Sequence, residues 1–192
     1  MKADEEGFLY PHIQQEQCIE CGLCKSRCPL RREGHFKEDG MPRFYVARHR
    51  CREVLEQSTS GGAFTAVSDA VLQQGGIVYG ADYDEAFRVV HKRAEAAAQR
   101  DRMRISKYVQ SDLGETFVQV KADLQSGRKV LFTRTPYQAS PLRSFLQGSP
   151  VLSNLYVCDL ICHSIPSPSV WEAYKALLEQ ENAGKLTHVQ FR

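Results

Sequence analysis

Gly127-Arg128-Lys129-Val130-Leu131-Phe132-Thr133-Arg134-Thr135-Pro136 carries the first decision about this chain. Lys129 to Thr133, with Val130, Leu131 and Phe132 at its centre, reads as a buried strand. Upstream, Leu113, Phe117, Val120 and Leu124 recur at helical spacing from about Ser111, with Gly127 as the stop. Downstream, Leu142 to Leu146 reads as helical, with Pro141 limiting how early that helix can begin. Leu155 to Cys162 is a second apolar strand. Ser167-Pro168 opens another helix, because Pro suits the first helical position after a capping Ser. Its expected buried face is Val170, Trp171, Tyr174, Leu177 and Leu178, Gly184 ends it, and Leu186 to Phe191 begins a further strand.

The same alternation extends towards the amino terminus. Thr59 and Ser60 are placed to cap a helix running to about Gln74, with Phe64, Val67 and Val71 as its apolar stripe and Gly75-Gly76 as its end. Ile77-Val78-Tyr79 and Arg88-Val89-Val90-His91 read as two strands joined across Asp82-Tyr83-Asp84-Glu85. A short polar helix follows over Ala94 to Arg102. Strands alternating with helices predict an α/β fold, a mixed sheet with flanking helices, over residues 53–192, with a first part at about 53–110 and a second, incomplete part at about 111–192.

Residues 1–52 differ in kind. They show little periodic hydrophobicity but contain Cys18-Ile19-Glu20-Cys21-Gly22-Leu23-Cys24-Lys25-Ser26-Arg27-Cys28-Pro29. This is the ferredoxin spacing C-x₂-C-x₂-C-x₃-C-P, which holds a 4Fe–4S cluster. Thiolates two residues apart must wrap a small cubane, Gly22 relieves crowding where backbone nears sulfide, and Pro29 ends the loop. Structural zinc usually takes two well-separated ligand pairs, and a disulfide framework is disfavoured by an odd cysteine count without a secretory signal. The reading is therefore a small ferredoxin-like iron–sulfur module with Cys18, Cys21, Cys24 and Cys28 as ligands, stabilised largely by its metal. In two-cluster ferredoxins the fourth cysteine of such a run serves the other cluster. The fourth ligand is left open between Cys28, Cys51 and a partner.

The 192 residues are 42% hydrophobic and 25% charged, as in ordinary globular proteins. No apolar run reaches membrane-spanning length, and the start lacks the regions of a signal peptide, so the expected compartment is the reducing cytoplasm. Between Lys25 and Arg52 nine Lys/Arg face three acids, which gives this segment +6 and the remainder −4. That segment reads either as a solvated basic linker or as a docking site for an acidic redox partner or anionic cofactor. Nucleic acid is disfavoured, since aromatic residues are not interleaved at stacking intervals. Neither a Ser-His-Asp arrangement nor H-E-x-x-H appears, which disfavours a hydrolase.

Ser58-Thr59-Ser60-Gly61-Gly62 opens a helix whose free N–H groups would suit a phosphate, but the stretch is not the G-x-G-x-x-G fingerprint and reads equally as a glycine turn before an ordinary helix. Five stretches in one order now bear a resemblance: D-E-E-G-F-L-Y-P (4–11), S-T-S-G-G-A-F-T-A-V (58–67), S-K-Y-V-Q-S (106–111), T-R-T-P-Y-Q (133–138) and D-L-I-C-H-S-I-P-S-P (159–168). Together they resemble the coenzyme F-420 hydrogenase/dehydrogenase beta-subunit family, whose members often carry an N-terminal ferredoxin-like segment and are usually about twice this length.

The resemblance implies an oxidoreductase that binds FAD as well as an iron–sulfur cluster. It would pass electrons between cluster and flavin, to or from a deazaflavin (coenzyme F-420), a ferredoxin or a hydrogenase/dehydrogenase subunit. It also implies flavin contact at Ser60, Gly61, Gly62 and Thr65, with Lys107 pairing a flavin phosphate or stabilising a reduced flavin anion. The family pattern G-T-P-C-Q reads Arg134-Thr135-Pro136-Tyr137-Gln138 here. A phenol cannot replace a thiolate at iron–sulfur, and Pro141 and Ser164 also stand where small or Gly residues are usual. These departures support an alternative, a non-catalytic electron-transfer subunit or a truncated, inactive family member. Cys158 reads as a packed small hydrophobe, and Cys162-His163 ends a strand, where α/β sheets place ligands.

Overall fold

The computed structural model describes residues 1–28 and 41–191. Pro29 and, from the basic segment, Arg31, Arg32, Glu33, Lys37, Glu38 and Asp39 lie outside the described residues.

The expected buried strand is β5, Val130–Arg134, and all five of its residues are buried. It lies at the centre of a four-stranded sheet with β3 (Ile77–Tyr83), β4 (Val89–Ala94) and β6 (Leu155–Asp159), in the order β4-β3-β5-β6. β3 and β4 form an antiparallel hairpin in which Tyr83 faces Val89, while β5 runs parallel to both β3 and β6. The sheet is mixed, as expected.

Strand periodicity divides the core. Ile77, Tyr79, Val130 and Phe132 point to one face, where they meet Val120 and Leu124 of α5 (Thr116–Gln125) and Leu142 and Leu146 from α6 (Pro136–Phe145) and its end. Val78 and Leu131 point to the other face and meet Val71 of α3 (Ala63–Leu72) together with Ala94 and Met103. Helices therefore cover both faces, and a short helix, α4 (Ala97–Asp101), sits beside α3.

Several expectations are corrected. Thr59 and Ser60 do not cap α3; it begins at Gly62, in left-handed conformation and with no side-chain cap. Its buried residues are Thr65, Ser68 and Val71, with Val67 exposed. The polar positions are buried because Arg100 of α4 reaches beneath the helix: its guanidinium donates to the Thr65 carbonyl and Ser68 Oγ and pairs with Asp69 at 2.6 Å. Phe64 and Val71 of the expected stripe do pack on the core, and a buried cation with its partners takes the place of Val67. The helix expected from Ser111 starts only at Thr116, after Gly114 at φ 43°. Conversely, α6 starts at Pro136 and contains Pro141 within it, so the second proline does not delimit the helix. β6 stops at Asp159, short of Cys162.

The helix after Ser167 is confirmed as α7, Pro168–Glu181, and Ser167 Oγ accepts the Val170 N–H at 3.2 Å. Its buried seam is Trp171 and Lys175, one turn apart; of the expected apolar set Trp171 is buried, whereas Val170, Tyr174 and Leu177 are exposed. Trp171 Nε1 donates to the Phe87 carbonyl and Lys175 Nζ to the Ala86 carbonyl, so α7 grips the β3–β4 turn by polar bonds. Residues 186–191 form no strand; Val189 and Phe191 pack beside Trp171. Ser167→Ala is expected to lower stability by about 1 kcal/mol through loss of the cap, a drop of a few degrees in Tm by calorimetry.

Towards the amino terminus the described elements are short: a hairpin of β1 (Lys2–Ala3) and β2 (Leu9–Tyr10), a 3₁₀ turn at Gln15–Gln17, α1 (Leu23–Arg27) and α2 (Arg52–Glu56). Among the described residues no helix is long and apolar enough to cross a membrane.

Candidate functional site

Cys18 follows the 3₁₀ turn, Cys24 lies within α1 and Cys28 caps its end. Gly22 starts α1 at φ 70°, a left-handed turn open to glycine. Cys18, Cys21 and Cys24 are exposed, Cys28 is half-buried, and all four are free thiols. Among the described residues no three His, Cys, Asp or Glu side chains already converge on a metal position. The donor set still fits a cluster: four unpaired thiols on one short loop, with nothing within 4 Å of the space a Cβ would take on Gly22. Cys51 differs, because its thiol donates to Glu53 Oε2 at 2.7 Å at the start of α2.

The loop that carries the cysteines is attached to the α/β body at both ends. At its beginning, Leu9 N–H donates to Gln110 Oε1 and Ser169 N–H to the Glu6 carbonyl. At its far end, His49 N–H donates to the Gly61 carbonyl at 2.7 Å. A Cβ on Gly61 would overlap the Ala47 carbonyl oxygen, and one on Gly62, at φ 73°, would meet His49 Cβ at 3.0 Å. The Gly61-Gly62 turn is thus shaped to receive residues 47–49 of the same chain. Gly61→Val is expected to detach that segment while leaving the sheet folded, so limited trypsin digestion should cut faster at Arg48 and Arg50 than in the parent protein. Between the two attachments, α1 rests beside α6, the helix that follows β5.

A cleft of about 610 Å³ opens between the end of α2, the β3–β4 turn, residues 101–107 and residues 187–191. Its volume is in the range of small-molecule sites. Lys107 lines it and donates to the Arg104 carbonyl at 2.8 Å and the Arg102 carbonyl at 3.0 Å. Burial lowers its pKa to about 8, against the attraction of Asp82 and with the help of nearby Lys92. The other charges are mostly matched: Asp82 pairs with Lys92 at 2.9 Å and Arg102 at 3.3 Å, and Asp101 with Arg100 and Arg104, each at 2.8 Å. Tyr83 Oη is buried in this region without a partner, and burial raises its pKa to about 12.

The expected flavin residues therefore divide. Lys107 faces the cleft, and Thr65 touches it indirectly, accepting from Arg104 Nε at 3.0 Å. Ser60, Gly61 and Gly62 do not line it. Arg104, Arg102 and Tyr83 were missed. Arg104 lies beyond the end of α4, and no local pattern in the sequence marked it.

At the carboxyl end of the sheet, Arg134 stands where the family pattern has glycine. Its side chain is buried, and Nη2 lies 2.7 Å from Asp159 Oδ1, out of line for a hydrogen bond, so Nε and Nη2 have no acceptor. Tyr137 is half exposed at the start of α6. Burial raises the Cys158 thiol, reinforced by Asp159, and the residue packs against the core around Val78 and Leu131, as expected of a small hydrophobe. Cys162 is exposed, 3.7 Å from the Ser164 carbonyl.

No protein-family model matches the chain, and no curated protein matches it either. Among solved structures, a chain of the F420-reducing NiFe hydrogenase complex from Methanosarcina barkeri, in a xenon-derivatised form, has a similar fold: TM-score 0.54 at 19% identity, covering 76% of this chain and 55% of that one. The present chain thus spans about half the length of its structural neighbour.

Proposed function

We propose that this protein is an iron–sulfur flavoprotein oxidoreductase of the kind its sequence resembles. The Cys18–Cys28 loop carries the reading: four free thiols within eleven residues, mounted beside α6 on an α/β body. A bound 4Fe–4S cluster would supply one-electron transfer, and a flavin would couple it to two-electron chemistry.

The chain's own residues have separate tasks. Cys18, Cys21, Cys24 and Cys28 hold the cluster as thiolates. The cleft takes the flavin, with the Lys107 ammonium, held by the Arg102 and Arg104 carbonyls, directed at a phosphate or at the anionic reduced ring. Arg104, held by Thr65 and Asp101, fixes the wall beside it. A ferredoxin, a hydrogenase/dehydrogenase subunit or a deazaflavin coenzyme exchanges electrons with the protein, in a reducing cytoplasm. A neighbour that belongs to a multi-subunit hydrogenase complex supports a protein partner.

One observation favours a second reading. Gly61 and Gly62 are occupied with residues 47–49, and Arg134 fills the end of β5 where the pattern of the resembled family has glycine. A flavin-free electron-transfer subunit would look the same. Anaerobic purification separates the two. We expect brown protein with about four iron and about four sulfide per chain, and a flavin spectrum on denaturation that Lys107→Ala diminishes. Brown protein without flavin selects the electron-transfer subunit, and colourless protein with stoichiometric zinc overturns both.

A further inference from the structure

Met41-Pro42-Arg43-Phe44-Tyr45-Val46-Ala47-Arg48-His49-Arg50 presents an unusual surface. Met41, Phe44, Tyr45 and Val46 are 92%, 91%, 79% and 106% exposed. Among the described residues these are four of the most exposed large apolar side chains, and they fall within six positions. Three exposed arginines, Arg43, Arg48 and Arg50, are interleaved with them, and no carboxylate within the described residues pairs with any of the three. Arg52, the next basic residue, does pair, with Glu56 at 2.8 Å.

The segment is nevertheless held in place. His49 N–H is bonded to the Gly61 carbonyl, and Ala47 is seated against a glycine that no larger residue could replace. A chain that merely solvated its charges would not need apolar residues between them, nor a fixed seat at the end. Interleaved arginine and aromatic residues are the composition of interface anchors, where Arg, Tyr, Phe and Met are enriched.

We propose that residues 41–50 form a docking arm for an acidic protein surface. The partner offers carboxylates to Arg43, Arg48 and Arg50 and an apolar groove to Phe44, Tyr45 and Val46. The partner's class is fixed by charge: the arm has no acid of its own, so complementarity requires an anionic surface. That the partner is an electron carrier rests on the proposed function, since the arm follows the cysteine loop in sequence.

The full chain, prepared anaerobically, is titrated by isothermal calorimetry with three acidic probes: a two-iron ferredoxin, a 4Fe–4S ferredoxin and a flavodoxin. At least one is expected to bind, with affinity falling steeply as salt rises from about 0.05 to about 0.3 M. R43E/R48E/R50E is expected to weaken binding about tenfold or more, and F44S/Y45S/V46S by a similar factor. These residues are exposed, so both variants should keep the parent's circular dichroism and melting profile. Binding by none of the probes, or binding indifferent to both variants, overturns the proposal. So does arm-dependent capture by phosphatidylserine vesicles without protein binding, or arm-dependent self-association in light scattering. Iron and sulfide are assayed in the same samples: iron-free protein that still binds through the arm refutes the cluster and retains the arm.

Discussion

Replacing Cys18, Cys21 or Cys24 by serine is expected to leave the purified protein with only a small fraction of the iron and sulfide of the parent, because a hydroxyl does not ionise at neutral pH and cannot stand in for a soft thiolate at iron. The informative comparison is between Cys28→Ser and Cys51→Ser. Cys28 ends α1 four residues after Cys24, whereas Cys51 is turned towards Glu53 at the head of α2. Cys28→Ser should therefore lose the cluster as completely as the other three, and Cys51→Ser should keep it. Iron, acid-labile sulfide and visible absorbance, measured in parallel on the five variants, decide the matter. Retention by Cys28→Ser with loss by Cys51→Ser would assign the fourth ligand to Cys51. Retention by all five would remove the loop from the redox account.

Acid is expected to weaken the fold through His91. The ring stacks on Phe132 with centroids 5.2 Å apart, Nδ1 lies 2.6 Å from Ser111 Oγ and Nε2 3.2 Å from the Thr133 carbonyl. The neutral ring satisfies both contacts by donating from Nε2 and accepting at Nδ1. Burial lowers its pKa to about 4, against the pull of the Thr133 carbonyl and with the repulsion of Arg134. Above pH 6.5 the ring is neutral in both the folded and the unfolded chain, and stability is at its full value. Between pH 6.5 and 4 the unfolded chain takes up a proton that the folded chain refuses, so stability falls as pH falls. The loss approaches about 3 kcal/mol once the pH is below 4. His91→Phe keeps an aromatic ring against Phe132 but removes the titration. It should be less stable at pH 7, because Ser111 and Thr133 lose a partner, and should lose distinctly less stability on acidification. Urea unfolding at pH 7 and pH 4.5 for both proteins measures the difference. Equal losses in the two would assign the acid effect to carboxylates elsewhere.

The sheet was legible because its signals are local. Val130, Leu131 and Phe132 are apolar at every position, and a strand covered on both faces needs that. Ser167-Pro168 likewise specifies its helix by capping chemistry that acts within one turn. What could not be read was set by distant residues. Thr65 and Ser68 are buried only because Arg100, on another helix, comes to them. The face of α7 is chosen by the backbone carbonyls of Ala86 and Phe87, some ninety residues away in sequence, which claim Lys175 and Trp171. The same holds for the candidate site. Spacing alone exposes the cysteine run, because a cluster draws its ligands from neighbouring positions. The cleft combines residues from 56–57, 82–87, 101–107 and 187–191, and of these only Lys107 stood out in the sequence as a candidate site residue. Gly61 and Gly62 were noticed for a ligand and serve, on the structure, to accept the chain itself.

The cysteine loop is fastened twice, at Glu6 and Leu9 on one side and at His49 on the other. A free tail that captures a metal must first gather its own ends, and the entropy of doing so grows with the logarithm of its length. Here the α/β body performs that gathering before any metal arrives. With a cluster bound as proposed, untying one end would leave every thiol in place and still loosen the grip on iron, so metal retention would rest partly on residues that never meet the metal.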